Sequence, residues 1–178
     1  MILGMTTSTF TLLHVLISLV GIGSGLVVMY GAFRANRMDR WTALFLVSTA
    51  ATSLTGFAFP NAHITPGIVI GVLSLVVLAI AVLARYGLKL KGLWRPVFVV
   101  TAAIALYFNV FVFVVQSFEK VPSLRALAPM QKEPPFAITQ LLVLVLFVVA
   151  TVFAVKRFHP DSRLAGASSA AAAGKRAA

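Results

Sequence analysis

The sequence predicts an all-α integral membrane bundle of five transmembrane helices, with the N-terminus outside and the C-terminus in the cytoplasm. Three observations predict it. The polar composition is too thin for a water-covered surface, five long stretches carry no charge, and the basic residues fall between those stretches in an alternating pattern. The 178-residue chain is 60% hydrophobic and 11% charged, with mean hydropathy +1.01, whereas a soluble domain carries about 25% charged residues. Lipid is therefore the solvent expected for much of the chain.

A helix advances about 1.5 Å per residue, so about 20 apolar residues cross a hydrocarbon core roughly 30 Å thick. Five runs meet that requirement, at about 10–33, 41–59, 67–84, 96–118 and 136–155, and none contains Asp, Glu, Lys or Arg. Backbone placed in hydrocarbon must satisfy its own hydrogen bonds, which makes each run a helix. The first run reads as a retained helix, because Met1 to Thr11 lacks the Lys or Arg of a secretory signal and the apolar stretch exceeds a signal core. Thr65-Pro66 reads as an N-cap followed by Pro at the first helical position. Pro96 and Pro134-Pro135 likewise precede apolar runs, where a missing N–H costs nothing.

The second run is the softest, with Ser48, Thr49, Thr52, Ser53 and Thr55 inside it, and charge decides whether it spans. Five spans put Arg34, Arg37, Arg40, Arg85, Lys89, Lys91, Arg95, Lys156, Arg157, Arg163, Lys175 and Arg176 on one side. Only Lys120, Arg125 and Lys132 fall opposite, so the positive-inside rule assigns the larger group to the cytoplasm. Trp41 and Trp94 then sit at cytoplasmic interfaces, as an aromatic belt requires. Residues 1–158 form one transmembrane domain, and 159–178, from His159 to the Lys175-Arg176 end, read as a disordered basic cytoplasmic tail against anionic headgroups. In the outer loop from Glu119 to Pro135, Val121, Leu124, Leu127 and Ala128 are spaced for one short turn on the membrane surface.

The net charge of +11 does not imply nucleic acid, since the cations sit in short clusters between apolar runs. Absence of cysteine excludes disulfides, thiolate catalysis and cysteine-bound metals. The four acids, Asp39, Glu119, Glu133 and Asp161, lie outside the runs, and no nucleophile–base pair or phosphate-binding loop stands out. The chain reads as a non-enzyme with no cofactor and no metal.

Candidate functional residues are polar groups on apolar helices. His14, Ser18, Gly21 and Gly25 form one stripe of the first helix, and Gly21 with Gly25 is a small-xxx-small packing motif, as is Gly67 with Gly71. His14 is an intramembrane ionisable group, a functional candidate by default. Thr101, Ala105, Asn109, Val112 and Gln116 share a face of the fourth helix, and an amide in hydrocarbon needs partners. His14, Ser18, Asn109, Gln116 and Gln140 could therefore line an outward-facing, mostly uncharged pocket. His63 in the short outer loop raises a paired-histidine haem site, although its placement outside a helix argues against one.

His14-Val15-Leu16-Ile17-Ser18 running into Gly21-Ile22-Gly23-Ser24-Gly25, and Leu127-Ala128-Pro129 through Glu133-Pro134-Pro135-Phe136, give the chain its whole-length pattern. In that pattern it resembles small uncharacterised multi-pass proteins of bacterial inner membranes. The resemblance implies that location and carries no catalytic residue. The role expected is a non-enzymatic packing or accessory component in the lipid bilayer, meeting a second copy or a partner membrane protein through glycine-rich faces and assisting transport of a small solute. The competing expectation is a small redox or ligand-binding protein, taking haem or quinone at His14.

Overall fold

The computed structural model describes residues 2, 4–59 and 65–158. Every regular element among them is a helix, apart from one isolated bridge between Ile2 and Met5. The order is α1 (Thr7–Phe33), α2 (Asp39–Phe57), α3 (Pro66–Val82) running into a π-helical turn (Leu83–Gly87), α4 (Trp94–Lys120), the short α5 (Pro122–Leu127) and α6 (Pro134–Arg157). Four helical segments, α1, α3 with its π turn, α4 and α6, are long and apolar enough to cross a membrane. The chain is thus an all-helical protein of multi-pass membrane character. His63 and the tail from His159 lie outside the described residues.

Local chemistry explains the helix starts. Thr6 Oγ1 accepts from the Thr9 N–H at 3.2 Å, and Thr65 Oγ1 accepts from Ile68 at 3.4 Å with Pro66 at the first position. These side chains replace the missing intrahelical partners of the first turn. α4 starts at Trp94, two residues before the boundary expected at Pro96. Proline fits inside the first turn because an N–H there has no helical acceptor to lose. The short turn expected between Glu119 and Pro135 appears as α5, none of whose residues is buried, and Gln131 Nε2 ties that connection to the Val115 carbonyl at 3.0 Å.

α2 lies antiparallel along α1 in constant register. His14 meets Thr55, Gly21 faces Ser48 and Thr49, Gly25 faces Phe45, and Gly31 faces Met38. α4 is the hub, touching α1, α2, α3, α5 and α6. Three ring pairs hold α6 antiparallel to it: Phe118–Phe136 at 5.4 Å, Tyr107–Phe147 at 5.6 Å and Phe98–Phe158 at 6.2 Å. α6 nevertheless stays at the margin, with 11% of its apolar stretch buried against 44% for α4.

The core explains the softness of α2. Thr42, Ser48, Thr49 and Ser53 are buried, while Val47 and Leu54 on the opposite face are exposed. Ser48 donates to the Leu44 carbonyl at 2.7 Å and Ser53 to the Thr49 carbonyl at 3.2 Å, so these hydroxyls carry no unmet donor into the core. An α2 with polar residues inward and apolar residues outward suits an oily surround.

Candidate functional site

The polar residues singled out in the sequence gather in two places, and the rest are scattered. The first is a buried junction of α1, α2 and α4. Asn109 is buried, and its Nδ2 donates to Thr49 Oγ1 at 3.1 Å. Gly21 makes room for this contact: a Cβ there would lie 3.2 Å from Asn109 Nδ2, 3.2 Å from Thr49 Oγ1 and 3.4 Å from Ser48 Oγ. One turn on, a Cβ at Gly25 would come within 2.6 Å of Leu106 and 2.9 Å of Phe45. The glycine stripe of α1 is therefore filled by this chain's own α2 and α4. Gly71 plays the same part for Phe57, whose ring would lie 2.8 Å from an added Cβ, while Gly67 is exposed.

The second place lies nearer the start of α1. His14 Nδ1 and Thr55 Oγ1 are 2.8 Å apart, with the Phe59 ring set edge-on to the imidazole at 5.3 Å. Thr55 Oγ1 also stands 2.7 Å from the Ala51 carbonyl, to which it donates. A hydroxyl has one proton, so His14 must donate from Nδ1, which leaves Nε2 as the basic atom of a neutral ring. Gly56 accommodates this ring, its Cβ position lying 3.6 Å from His14 Cε1.

The remaining candidates are dispersed. Ser18 is half-buried on α1. Gln116 is exposed and donates to Glu119 Oε2 at 3.2 Å, and Gln140 Nε2 reaches the Phe111 carbonyl at 3.3 Å. Neither amide is bonded to His14 or Asn109. Two voids are seen among the described residues, an apolar one of about 20 Å³ beside Gly25, Phe45, Val99 and Leu106, and an open concavity of about 530 Å³ at Glu119, Lys120, Arg125 and Gln131 on the α4–α6 connection. Among the described residues, no three His, Cys, Asp or Glu side chains are grouped to hold a metal ion.

A third constellation was not visible in the sequence. Arg85, on the π turn, is 3% exposed. Its Nη2 donates to Asp39 Oδ1 at 2.6 Å and to the Arg37 carbonyl at 2.7 Å, and its guanidinium lies 5.0 Å from the Phe98 ring centre. These bonds draw together the α1–α2 loop and the α3–α4 connection. Asp39 also stands in the first turn of α2, where the helix dipole favours a carboxylate. The α1–α2 loop is tightly wound: Ala35 and Met38 take positive φ, Asn36 Oδ1 accepts from the Met38 N–H at 3.1 Å, and a Cβ on Gly31 would collide with the Met38 side chain.

At the start of α6, Glu133 Oε1 accepts from Met130 N–H at 3.1 Å and Oε2 from Lys132 N–H at 2.9 Å. Desolvation raises this carboxyl, but backbone donors from Glu133, Lys132 and Met130, with the Lys132 charge, outweigh it. The net effect holds its pKa below the ordinary glutamate value.

Comparison with protein families, curated proteins and solved structures finds no match to this chain.

Proposed function

We propose that this chain is a five-span protein of the bacterial inner membrane, N-terminus outside and C-terminus in the cytoplasm, acting as a non-enzymatic packing component beside a second copy or a partner helix. The observation that carries the reading is a contrast. The small and polar groups of α1, α2 and α4 are engaged with one another, whereas α6 leaves Leu142, Val149 and most of its length apolar and uncovered.

The fifth span is α2. Its 19 residues amount to roughly 28 Å of helix, close to the thickness of a hydrocarbon core. Its register with α1 along its full length supports a crossing, and the distribution of Lys and Arg supports the orientation.

The chain has no native cysteine, so single-cysteine variants report cleanly. Leu142→Cys and Val149→Cys are expected to form disulfide-linked species in native membranes, and Val47→Cys on α2 is not. A monomer in all three would remove packing against a second copy. Cysteines placed at positions 86–93 are expected to react only with reagents that reach the cytoplasm, and labelling from outside would reverse the orientation.

A second reading rests on His14 Nε2, a basic nitrogen without a bond among the described residues. It could accept a hydrogen bond from a quinol or ligate haem. Purified protein with visible absorbance that His14→Ala abolishes would favour this reading, and colourless, quinone-free protein would remove it.

A further inference from the structure

We infer that Arg37 and Arg85 form a binding site for the phosphodiester of an anionic membrane lipid. The inference rests on the membrane reading above and goes beyond it, from a chain surrounded by lipid to a chain that grips one lipid headgroup.

Two buried donors point to an anion. Arg85 Nη1 and Arg37 Nε are both shielded from solvent and make no hydrogen bond, although the Tyr86 side chain also lies against the Arg85 guanidinium and Arg85 Nη2 is fully used by Asp39 and the Arg37 carbonyl. A buried N–H without an acceptor is costly, and more so on a charged group. Because Arg85 reaches the backbone of Arg37, the two side chains belong to one corner of the bundle. A phosphate presents several acceptor oxygens to the fixed fork of a guanidinium, and a carboxylate supplied by this chain is scarce there. The two converging connections carry seven cations and the single acid Asp39, which is 77% exposed and bonded from one oxygen.

The level of the corner names the source of the phosphate. Trp41 opens α2 and Trp94 opens α4, both exposed and both on the connections that Arg85 draws together. Indole rings favour the headgroup region, so a lipid phosphate already lies at this depth. Arg37 is half-buried and Arg34 is exposed with its guanidinium over the Tyr30 ring, so a site for one phosphate separates these two neighbours where a diffuse surface potential would not.

The test uses the full chain, delipidated in a neutral detergent and returned to phosphatidylcholine bilayers containing graded phosphatidylglycerol. Phosphatidylglycerol is expected to raise the unfolding midpoint saturably. Arg37→Gln is expected to weaken its apparent affinity about tenfold, in line with loss of one charge-assisted contact, and Arg34→Gln to change it less than about twofold, as for an exposed charge. Arg37→Lys, which keeps the charge and loses Nε, is expected to follow Arg37→Gln; helical circular dichroism and a single elution peak establish that each variant is folded. Equal losses in Arg34→Gln and Arg37→Gln would overturn the site, as would full affinity in Arg37→Lys. Protection by millimolar inorganic phosphate equal to that by phosphatidylglycerol would overturn the lipid assignment. Failure to enter phosphatidylcholine bilayers at all would instead count against the membrane reading.

Discussion

The two ends of α2 are fastened by different chemistry. At its start, a buried guanidinium binds an exposed carboxylate and a loop carbonyl. Near its end, a neutral imidazole donates to a threonine hydroxyl that itself back-bonds to its helix. The ionic end engages two loops and still leaves buried donors unmet; the neutral end is a single bond at Nδ1 of a half-buried ring, with Nε2 left unbonded among the described residues. The comparison teaches that a charge taken out of water recruits far more of its surroundings than a neutral polar group does, and is harder to satisfy within one chain.

Four changes sharpen or break that contrast. The largest effect is expected at Gly25→Leu, between the two ends. Leu106 and Phe45 stand where the new side chain must go, so overpacking should cost about 3 kcal/mol and spoil the register that both fastenings share. Unfolding in detergent measures it, and a wild-type midpoint would show that the α1–α2–α4 contact is loose.

Asp39→Asn comes next. Removing one partner of a fully buried pair costs roughly 3–5 kcal/mol, but the exposed carboxylate of Asp39 lowers the expectation here to about 2 kcal/mol. His14→Phe removes one neutral interhelical bond, for which about 0.6 kcal/mol, and at most about 1.7, is expected. If His14→Phe proved as costly as Asp39→Asn in the same unfolding assay, the distinction between the two ends would disappear.

The smallest effect belongs to Glu133. Its folded pKa lies below the unfolded value, so its contribution is fully present above the unfolded carboxylate pKa and is lost as pH falls through the folded one. Protection of the Met130 and Lys132 amides, taken against the intrinsic exchange rate at each pH, is expected to fall on acidification below that range, and Glu133→Gln to remove most of this acid dependence. Identical pH profiles in the two proteins would contradict the part of Glu133 in holding the Met130–Lys132 backbone.

Much of the fold was legible because lipid imposes long uncharged runs, and those runs mark where α1, α3, α4 and α6 lie. The Thr65-Pro66 start and the tight approach at Gly21 and Gly25 were legible for local reasons, a cap and a missing side chain. Which helices fill a glycine face is not a local property, and here α2 and α4 of the same chain fill it. Arg85 with Asp39 was illegible: 46 residues separate them, and each by itself looks like an ordinary interfacial charge. The stripe from Thr101 to Gln116 read as one face, yet it is buried at Ala105 and Asn109 and open at Gln116, which turns to Glu119 on its own helix while Phe118 beyond it packs on α6.

The marginal seat of α6 bears on how the molecule is made. Every contact among α1, α2, α3 and α4 can form before α6 leaves the ribosome. We expect that helix to partition into lipid by itself and zip afterwards onto α1 and α4, on α4 through its three aromatic rungs. A chain ending at Lys132 should then keep a protease-resistant remainder in membranes, and its complete digestion would show that assembly waits for the final segment.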